Sequence, residues 1–334
     1  LMFMLLLATG CVDATVLAAG EGATPAPGIH ELVPNGQDQR TIVDSLVEPG
    51  WWTHGVAGST AECTSVAAAG DLNGDNYQDL AIGFAYYESG STDEGAVCVY
   101  YGTADGPAAE ADWCYDPDIS YSYLGYSLAG GGDVNNDGYD DLVVGASQYS
   151  NGSNYEGAVL VFHGGASGLG ATYSTRLESG QSYAYLGRSV AVLGDINNDG
   201  YDDIGAGAPE YDNGQTDEGR FYVWLGSAAG VTSGSVVTKE IDSASADFGH
   251  AVAGLGDGNG DGYDDVGVTA TGYDGGQNDE GALVVYHGSS SGISSTYAVT
   301  IDADQTSAAF GDAVAGVGDV NNDGYDDVIV GAKS

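Results

Sequence analysis

Five segments of this sequence place oxygen-bearing side chains at alternate positions of a short loop. Each segment opens with the string Gly-Asp-x-Asn-x-Asp, and its oxygen donors stand at loop positions 1, 3, 5 and 9. The backbone carbonyl of position 7 is available between them. A hard cation such as Ca²⁺ binds roughly six to eight oxygens, which alternating positions of a tight turn supply. The spacing therefore predicts about one Ca²⁺ per repeat loop, five in this chain.

The predicted ligands include the tyrosine at position 7, which contributes only its backbone carbonyl. Position 6 is glycine in four loops and Asn76 in the first, and both residue types tolerate the positive φ of a tight turn. Position 8 is an aspartate in four loops, which we expect to face either solvent or a neighbouring repeat. The predicted metal-site residues are Asp71, Asn73, Asp75, Tyr77, Asp79, Asp133, Asn135, Asp137, Tyr139, Asp141, Asp195, Asn197, Asp199, Tyr201, Asp203, Asp257, Asn259, Asp261, Tyr263, Asp265, Asp319, Asn321, Asp323, Tyr325 and Asp327.

Two other calcium-binding motifs begin in a similar way and are excluded. EF-hand and dockerin loops need an acidic residue at position 12 and a helix after it. Position 12 is apolar in all five loops of this chain: Ile82, Val144, Ala206, Val268 and Val330. The calcium-binding β-helix has a much shorter period. We interpret the ions as structural, because carboxylates about 5 Å apart repel each other by roughly 3 kcal/mol in an empty loop; a signalling or ligand-bridging ion is the alternative.

The loops recur at a constant step, which defines a tandem structural unit. Their first residues are Asp71, Asp133, Asp195, Asp257 and Asp319, each 62 positions after the last. Every unit offers four strand candidates and no segment with helical periodicity. The examples are Arg188–Val192 before a loop, Asp141–Ala146 after one, Gly157–His163, and Thr172–Leu177. Four antiparallel strands per repeat are typical of propeller blades, so the sequence predicts an all-β β-propeller.

The repeat also divides the chain into segments. We expect a lipoprotein-type signal peptide with a clipped start in residues 1–10, a flexible tether in 11–49, and the propeller in 50–334. The blade repeats lie near 62–123, 124–185, 186–247 and 248–309, with a partial blade in 310–334. Trp51–Val56 is expected to be a lone fourth strand that completes the last blade. The ring is then incomplete at about four and a half blades, so we expect a fragment of a longer reading frame.

The start of the chain predicts export. The apolar run Leu1–Ala8 is too short to span a bilayer, and it leads into Leu7-Ala8-Thr9-Gly10-Cys11, which resembles a bacterial lipobox. Cys11 is then the lipidated residue and the protein a cell-surface or outer-membrane lipoprotein. The alternative is an ordinary secretory signal, which gives a secreted or periplasmic protein.

Composition excludes several classes of partner. The chain has 6 Lys plus Arg against 49 Asp plus Glu, a net charge of −43. Neutralising phosphates requires basic side chains, so nucleic acid is excluded as a partner. A basic patch on an anionic membrane is excluded too, which leaves a lipid anchor at Cys11 as the predicted membrane contact.

Nothing in the sequence marks a catalytic site, and we predict that the chain is not an enzyme. The histidines His30, His54, His163, His250 and His287 form no repeated pair, and a catalytic triad needs a base beside a nucleophile. Paired aspartates such as Asp140-Asp141 recur in every unit, whereas catalysis needs one asymmetric site. Cys98 and Cys114 fall on neighbouring predicted strands, and a disulfide between them is a possible cross-link.

Further motifs resemble FG-GAP repeats, the blades of the integrin α-subunit β-propeller and its bacterial relatives. Phe248-Gly249 and Phe310-Gly311 match the first half of that motif, and Gly207-Ala208-Pro209 matches the second. Leu124-Gly125 is a conservative variant, whereas Glu62-Cys63 departs from the pattern. The resemblance covers Trp51–Ser334.

The resemblance implies a seven-bladed ring with ions in the loops that join the first two strands of a blade. It also implies extracellular adhesion or ligand recognition, although the metal-dependent adhesion module inserted in some integrins has no counterpart here. We expect a binding or adhesion module whose protein or glycan ligand the sequence does not name, and Tyr101–Tyr123 is a candidate binding segment. The alternatives are the non-catalytic propeller part of an exported hydrolase and a purely structural envelope protein.

Overall fold

A computed structural model of the chain describes residues 63–108, 110–234 and 236–333. All the helices and strands assigned within these ranges are β-strands. These ranges contain no helix long and apolar enough to cross a bilayer. The strands are β1 (Ser65–Gly70), β2 (Asp79–Phe84), β3 (Ala96–Tyr100), β4 (Trp113–Tyr115), β5 (Leu124–Gly132), β6 (Asp141–Ala146), β7 (Ala158–Phe162), β8 (Thr175–Glu178), β9 (Ser189–Gly194), β10 (Asp203–Ala208), β11 (Arg220–Trp224), β12 (Val236–Lys239), β13 (Phe248–Gly256), β14 (Asp265–Ala270), β15 (Ala282–Tyr286), β16 (Val299–Asp302), β17 (Phe310–Gly318) and β18 (Asp327–Ala332).

Consecutive strands form four four-stranded antiparallel sheets, β1–β4, β5–β8, β9–β12 and β13–β16, and one two-stranded sheet, β17–β18. The first strand of each sheet contacts the first strand of the next. This arrangement confirms the all-β propeller blades that the repeat predicted. In the described part of the chain the sheets do not close into a ring. The predicted signal peptide, Cys11, the tether and the Trp51–Val56 strand lie outside the described residues.

Strand positions follow the apolar pattern closely. In the second blade, β6 has the predicted bounds, and β7 is one residue shorter at each end than predicted. The fourth strand, β8, begins at Thr175 instead of Thr172, and β9 extends to Gly194. The second and third strands are buried along nearly their whole length because neighbouring sheets cover both of their faces.

The hydrophobic core lies between consecutive sheets. One buried cluster joins Val97 of the first blade to Leu142 of the second. The next cluster joins Val159 of the second blade to Ile204 of the third. Each blade therefore buries its apolar faces against its neighbours, as expected for a stack of repeated units.

The loop position 8 aspartate joins adjacent blades at the loop end of the sheets. Asp140 accepts a hydrogen bond from the amide of Asp71 in the preceding blade, with 2.6 Å from N to Oδ2. The amide of Asp140 donates in turn to the carbonyl of Asp71 at 3.1 Å. Of the two environments expected for position 8, the structure shows contact with a neighbouring blade. The same side-chain bond is made at 2.8–3.1 Å by Asp202, Asp264 and Asp326.

A glycine joins the blades at the opposite end of the sheets. Gly219 forms a parallel bridge with Phe248 of the next blade, and the amide of Phe248 donates to the carbonyl of Glu218 at 3.1 Å. A Cβ at Gly219 would lie 2.3 Å from the nitrogen of Phe248, so this approach requires glycine. The same bridge links Gly95 to Leu124, Gly157 to Leu186 and Gly281 to Phe310.

We expect Asp202→Ala to lower the free energy of unfolding by about 1–3 kcal/mol, because the partly buried amide of Asp133 loses its acceptor. Urea denaturation in Ca²⁺ would measure this loss. Asp202→Asn keeps one acceptor oxygen and should lose less. Equal stability of the wild type and Asp202→Ala would contradict this role for position 8.

Candidate metal centre

Each acidic loop connects the first two strands of a blade. The loop Asp133–Asp141, for example, begins after β5 and ends at the first residue of β6. The pairing of β5 with β6 is irregular between Gly130 and Gly132, immediately before the loop. The sequence therefore placed all five loops correctly relative to the strands.

The side chains at positions 1, 3 and 5 converge on the inside of the turn. In the second blade, Asp133 Oδ1 and Asn135 Oδ1 accept hydrogen bonds from the same amide, that of Asp137, at 3.1 and 3.0 Å. Asn135 Nδ2 lies 3.0 Å from Asp137 Oδ2. One carboxylate, one amide and a second carboxylate are thus brought together by the backbone of a single turn.

The backbone of the turn repeats with little variation. The position 1 carboxylate accepts the amide of position 6 at 2.8 Å in all five loops. Position 6 has the expected positive φ, including 68° at Asn76 and 92° at Gly138. Position 4, which the spacing of the motif did not mark, also adopts a positive φ and holds glycine or asparagine. Its residues are Gly74, Asn136, Asn198, Gly260 and Asn322.

The position 9 aspartate is held on the strand side of the loop. Asp141 is fully buried; its Oδ2 accepts the amide of Val134 at 2.9 Å and its Oδ1 accepts the amide of Gly164 at 2.9 Å. Gly164 follows β7, so this carboxylate ties the loop to the third strand. The corresponding aspartates of the other complete blades are equally buried: Asp79, Asp203 and Asp265.

Burial raises the pKa of the position 9 carboxylates of the four complete blades above their ordinary range. The pKa of Asp141 and of Asp203 rises to about 7 and that of Asp79 to about 6, because desolvation outweighs the stabilising amide hydrogen bonds. The position 1 and position 5 aspartates raise these pKa values further. A nearby cation would favour the charged form and so reverse this effect.

The donor set of the loops fits a hard divalent cation. Each loop offers carboxylate and amide oxygens, and its positions 3 to 7 lie mostly at the surface, where water can complete a coordination shell. The residues at positions 1, 3 and 5 would hold such an ion. Both oxygens of Asp141 already accept backbone amides, so its direct coordination of an ion, like the full ligand set, remains a prediction.

One histidine lies closer to a loop than the sequence suggested. His287 Nδ1 is 3.0 Å from Oδ2 of the buried Asp265 in the fourth blade, where Asn259 Nδ2 also approaches at 3.4 Å. His287 directly precedes Gly288, whose amide binds Asp265. The position of His287 directly before the repeated glycine Gly288 was the sequence feature that could have predicted this contact. His163 occupies the same place in the second blade.

Cys98 and Cys114 form a disulfide between β3 and β4. The two residues are directly opposite each other in the strand register. The bond therefore cross-links the third and fourth strands of the first blade.

In the presence of a chelator, we expect stability to fall as pH rises from about 5 to 8. The folded state binds protons at position 9 more tightly than the unfolded state, so its stabilising contribution is lost as pH passes the folded pKa. For Asp141 this amounts to about 3 kcal/mol. Chemical denaturation of Asp141→Asn should lack this part of the pH dependence. The exposed Asp105→Asn should retain this pH dependence. An unchanged pH profile in Asp141→Asn would contradict the assignment of this pH dependence to the Asp141 carboxylate.

Comparison with known families agrees with this geometry. The FG-GAP repeat family matches residues 64–100, 124–162 and 186–224, which correspond to the first three strands of the first three blades. Integrin alpha pat-2 of Caenorhabditis briggsae is 37% identical over 236 residues, covering 65% of this chain and 18% of the integrin. Integrin alpha-6 of Gallus gallus is 32% identical over 251 residues, covering 75% and 22%, respectively. Integrin alpha-IIb of Homo sapiens is 36% identical over 232 residues, covering 65% and 20%.

This chain thus spans about a fifth of the length of the curated relatives it matches. The FG-GAP matches contain three of the five acidic loops and the first three strands of three blades. The chain therefore contains FG-GAP repeats and is an integrin-α-like β-propeller.

Proposed function

We propose that this chain is a calcium-stabilised extracellular β-propeller that serves as a binding or adhesion module at the cell surface. The integrin-like fold supports a role in recognition, and the five acidic loops support stabilisation by Ca²⁺. The disulfide supports an oxidising, exported environment. Anchoring through Cys11 is part of the proposal, although that residue lies outside the described ranges.

The observation that carries the binding role is a group of tyrosines at the end of the blades opposite the acidic loops. These residues lie in the connections from second to third strands and from each fourth strand to the next blade. We call them the tyrosine rim: Tyr86, Tyr121, Tyr123, Tyr155, Tyr183 and Tyr185. Tyr86, Tyr121 and Tyr183 are 50%, 47% and 50% exposed. Tyrosine is enriched in binding surfaces because it offers a large rigid ring with a polar tip.

Ring contacts organise the rim into two groups. The rings of Tyr86 and Tyr123 meet edge to face with centroids 5.3 Å apart. Tyr155 contacts Tyr183 at 5.7 Å and stacks with Tyr185 at 6.2 Å. The first two blades therefore present neighbouring aromatic surfaces.

The backbone conformation of the rim supports a role for these tyrosine side chains in binding rather than in folding. Five of its six tyrosines have a positive φ, between 50° and 65°, a conformation that is costly for bulky residues. The equivalents of Tyr121 and Tyr183 after the third and fourth blades are Ser245 and Ser307, which share this conformation without an aromatic ring. The fold thus needs the conformation but not tyrosine, which supports a binding role for the rings.

The proposed module has no catalytic activity of its own. The strongly perturbed carboxylates of the described residues belong to the repeated loops, where each has the same structural partners in successive blades. The predicted segment Tyr101–Tyr123 contributes Tyr121 and Tyr123 to the rim. The proposed ligand of the rim is a protein or a glycan, which the arrays described below would identify.

Chelation of Ca²⁺ should lower the thermal unfolding midpoint markedly. An ion at ten times its dissociation constant adds about 1.4 kcal/mol per site, or about 7 kcal/mol for five independent loops. Calorimetric melts in Ca²⁺ and in chelator would measure the change. Asp133→Asn combined with Asp137→Asn should remove one ion per chain, whereas Asp105→Asn combined with Asp242→Asn should remove none. An unchanged midpoint in chelator would refute stabilisation by Ca²⁺.

Glycan and protein arrays would test recognition by the rim. We expect a ligand whose binding falls at least about tenfold in Tyr121→Ala combined with Tyr183→Ala, the size expected for interface anchors. Tyr297→Ala is the matched control, because Tyr297 is 55% exposed but lies in the connection from β15 to β16 at the other end of its blade. No binding by the calcium-loaded chain, or equal binding by both variants, would overturn the proposed role of the rim.

A further inference from the structure

We propose that the first and fourth blades each hold a second kind of divalent-cation site, at the end of the sheet opposite the acidic loops. Each site is a group of three carboxylates that bring one oxygen each within 4.8 Å of one another. The first group is Glu94, Asp116 and Asp118, and the second is Glu280, Asp302 and Asp304. None of these residues belongs to the loops of the candidate metal centre.

A buried glutamate lies at the base of each group. Glu94 is fully buried; its Oε1 accepts the amides of Ser89 at 2.6 Å and Gly90 at 3.2 Å. Its other oxygen, Oε2, is buried without a hydrogen-bond partner. A buried carboxylate oxygen that has lost water and gained no partner carries a large desolvation cost. A cation among the three carboxylates would supply the missing partner.

The fourth blade repeats this arrangement in detail. Glu280 is fully buried, its Oε1 accepts the amides of Gly275 and Gly276, and its Oε2 is buried without a partner. Asp118 and Asp304 share a positive φ, 53° and 50°. The two groups lie 186 residues apart, three repeats, so two blades separate them.

In each of the two intervening blades, an arginine pairs with the glutamate that is equivalent to Asp116. In the second blade, the equivalent of Asp116 is Glu178, which is 2.7 Å from Arg176 Nε, and the third carboxylate is replaced by Gly180. In the third blade, Glu240 is 2.8 Å from Arg220 Nη2. Positive charge is therefore supplied by a guanidinium wherever the three-carboxylate group does not form.

In the third blade the equivalent glutamate is buried, but three carboxylates do not come together around it. Glu218 is as buried as Glu94. Its neighbours Glu240 and Asp242 do not join it in a group within 4.8 Å, since Arg220 holds Glu240. Three converging carboxylates without a basic partner thus distinguish the first and fourth blades.

The described basic residues are engaged elsewhere. Besides the two paired arginines, Arg188 lies over the ring of Tyr126 and Lys239 over that of Tyr286. Lys333 pairs with Asp312 at 3.6 Å. No basic side chain of the described ranges forms an ion pair with either group.

The chemistry of the groups selects the ion. Three carboxylates offer only oxygen, the donor that Ca²⁺ prefers, and a soft metal would gain no sulfur or imidazole ligand. Both aspartates of each group are exposed, so water can complete the coordination shell. We therefore assign Ca²⁺ to these sites.

Metal counting on matched variants tests the proposal. Calcium per chain would be measured after equilibrium dialysis at about 1 mM free Ca²⁺, the range of extracellular calcium modules. Asp116→Asn with Asp118→Asn should lose one ion, as should Asp302→Asn with Asp304→Asn. Asp105→Asn with Asp242→Asn removes the same charge from exposed positions and should lose none. Equal calcium content in all four proteins would overturn the proposal.

A crystal structure of the wild-type chain grown in Ca²⁺ provides a test that does not depend on variant folding. An anomalous peak about 2.3–2.6 Å from the carboxylate oxygens of either group would support its site. The absence of a peak from both groups would overturn the proposal. Loop occupancy is read separately in the same map, so failure of calcium binding in the acidic loops is distinguishable from failure here.

Discussion

A buried carboxylate at the end of each acidic loop connects the loop to the rest of its blade. Asp141 reaches back to the amide of Val134 and forward to the amide of Gly164, so one side chain fixes the start of the loop, the second strand and the end of the third strand. Its burial has an electrostatic cost, which appears as a pKa raised to about 7. The oxygens at positions 1, 3 and 5 converge inside the same turn, where a cation can reduce that cost. The loop therefore holds the strands of a blade together, and its stability depends on the charge of the buried carboxylate.

The two halves of the FG-GAP motif have a direct structural meaning in this chain. Phe248-Gly249 begins the first strand of a blade, and the carbonyl of Gly249 accepts the hydroxyl of Ser189 in the preceding blade at 3.0 Å. Gly207, in the second half of the motif, packs so closely that a Cβ there would lie 1.8 Å from the carbonyl oxygen of Gly249. Both halves of the motif therefore meet at the same junction, and what recurs along the sequence is a contact between blades.

Much of the fold could be predicted from local patterns. The 62-residue step gave the number and order of the blades, and the apolar run Asp141–Ala146 gave the bounds of β6. The positive φ at position 6 followed from Gly138 and its equivalents. These features depend on neighbours in sequence, where spacing and residue type carry the information.

Contacts between blades were harder to predict. Asp140 meets an amide 69 residues away, and its sequence context was equally compatible with solvent. The tyrosine rim was missed because its positive φ values occur at residues that do not favour them, such as Tyr121 and Tyr183. The group at Glu94 was missed because its members come from two connections separated by β3 and β4, and only the sheet brings them together.

The identical junctions have a consequence for how such a chain can change in length. At every described junction, the position 1 amide and the bridging glycine of one blade meet the position 8 aspartate and the first strand of the next blade. Inserting or deleting one whole 62-residue unit by unequal recombination would leave every remaining junction with its partners. Blade number can therefore drift during evolution without a new interface having to arise.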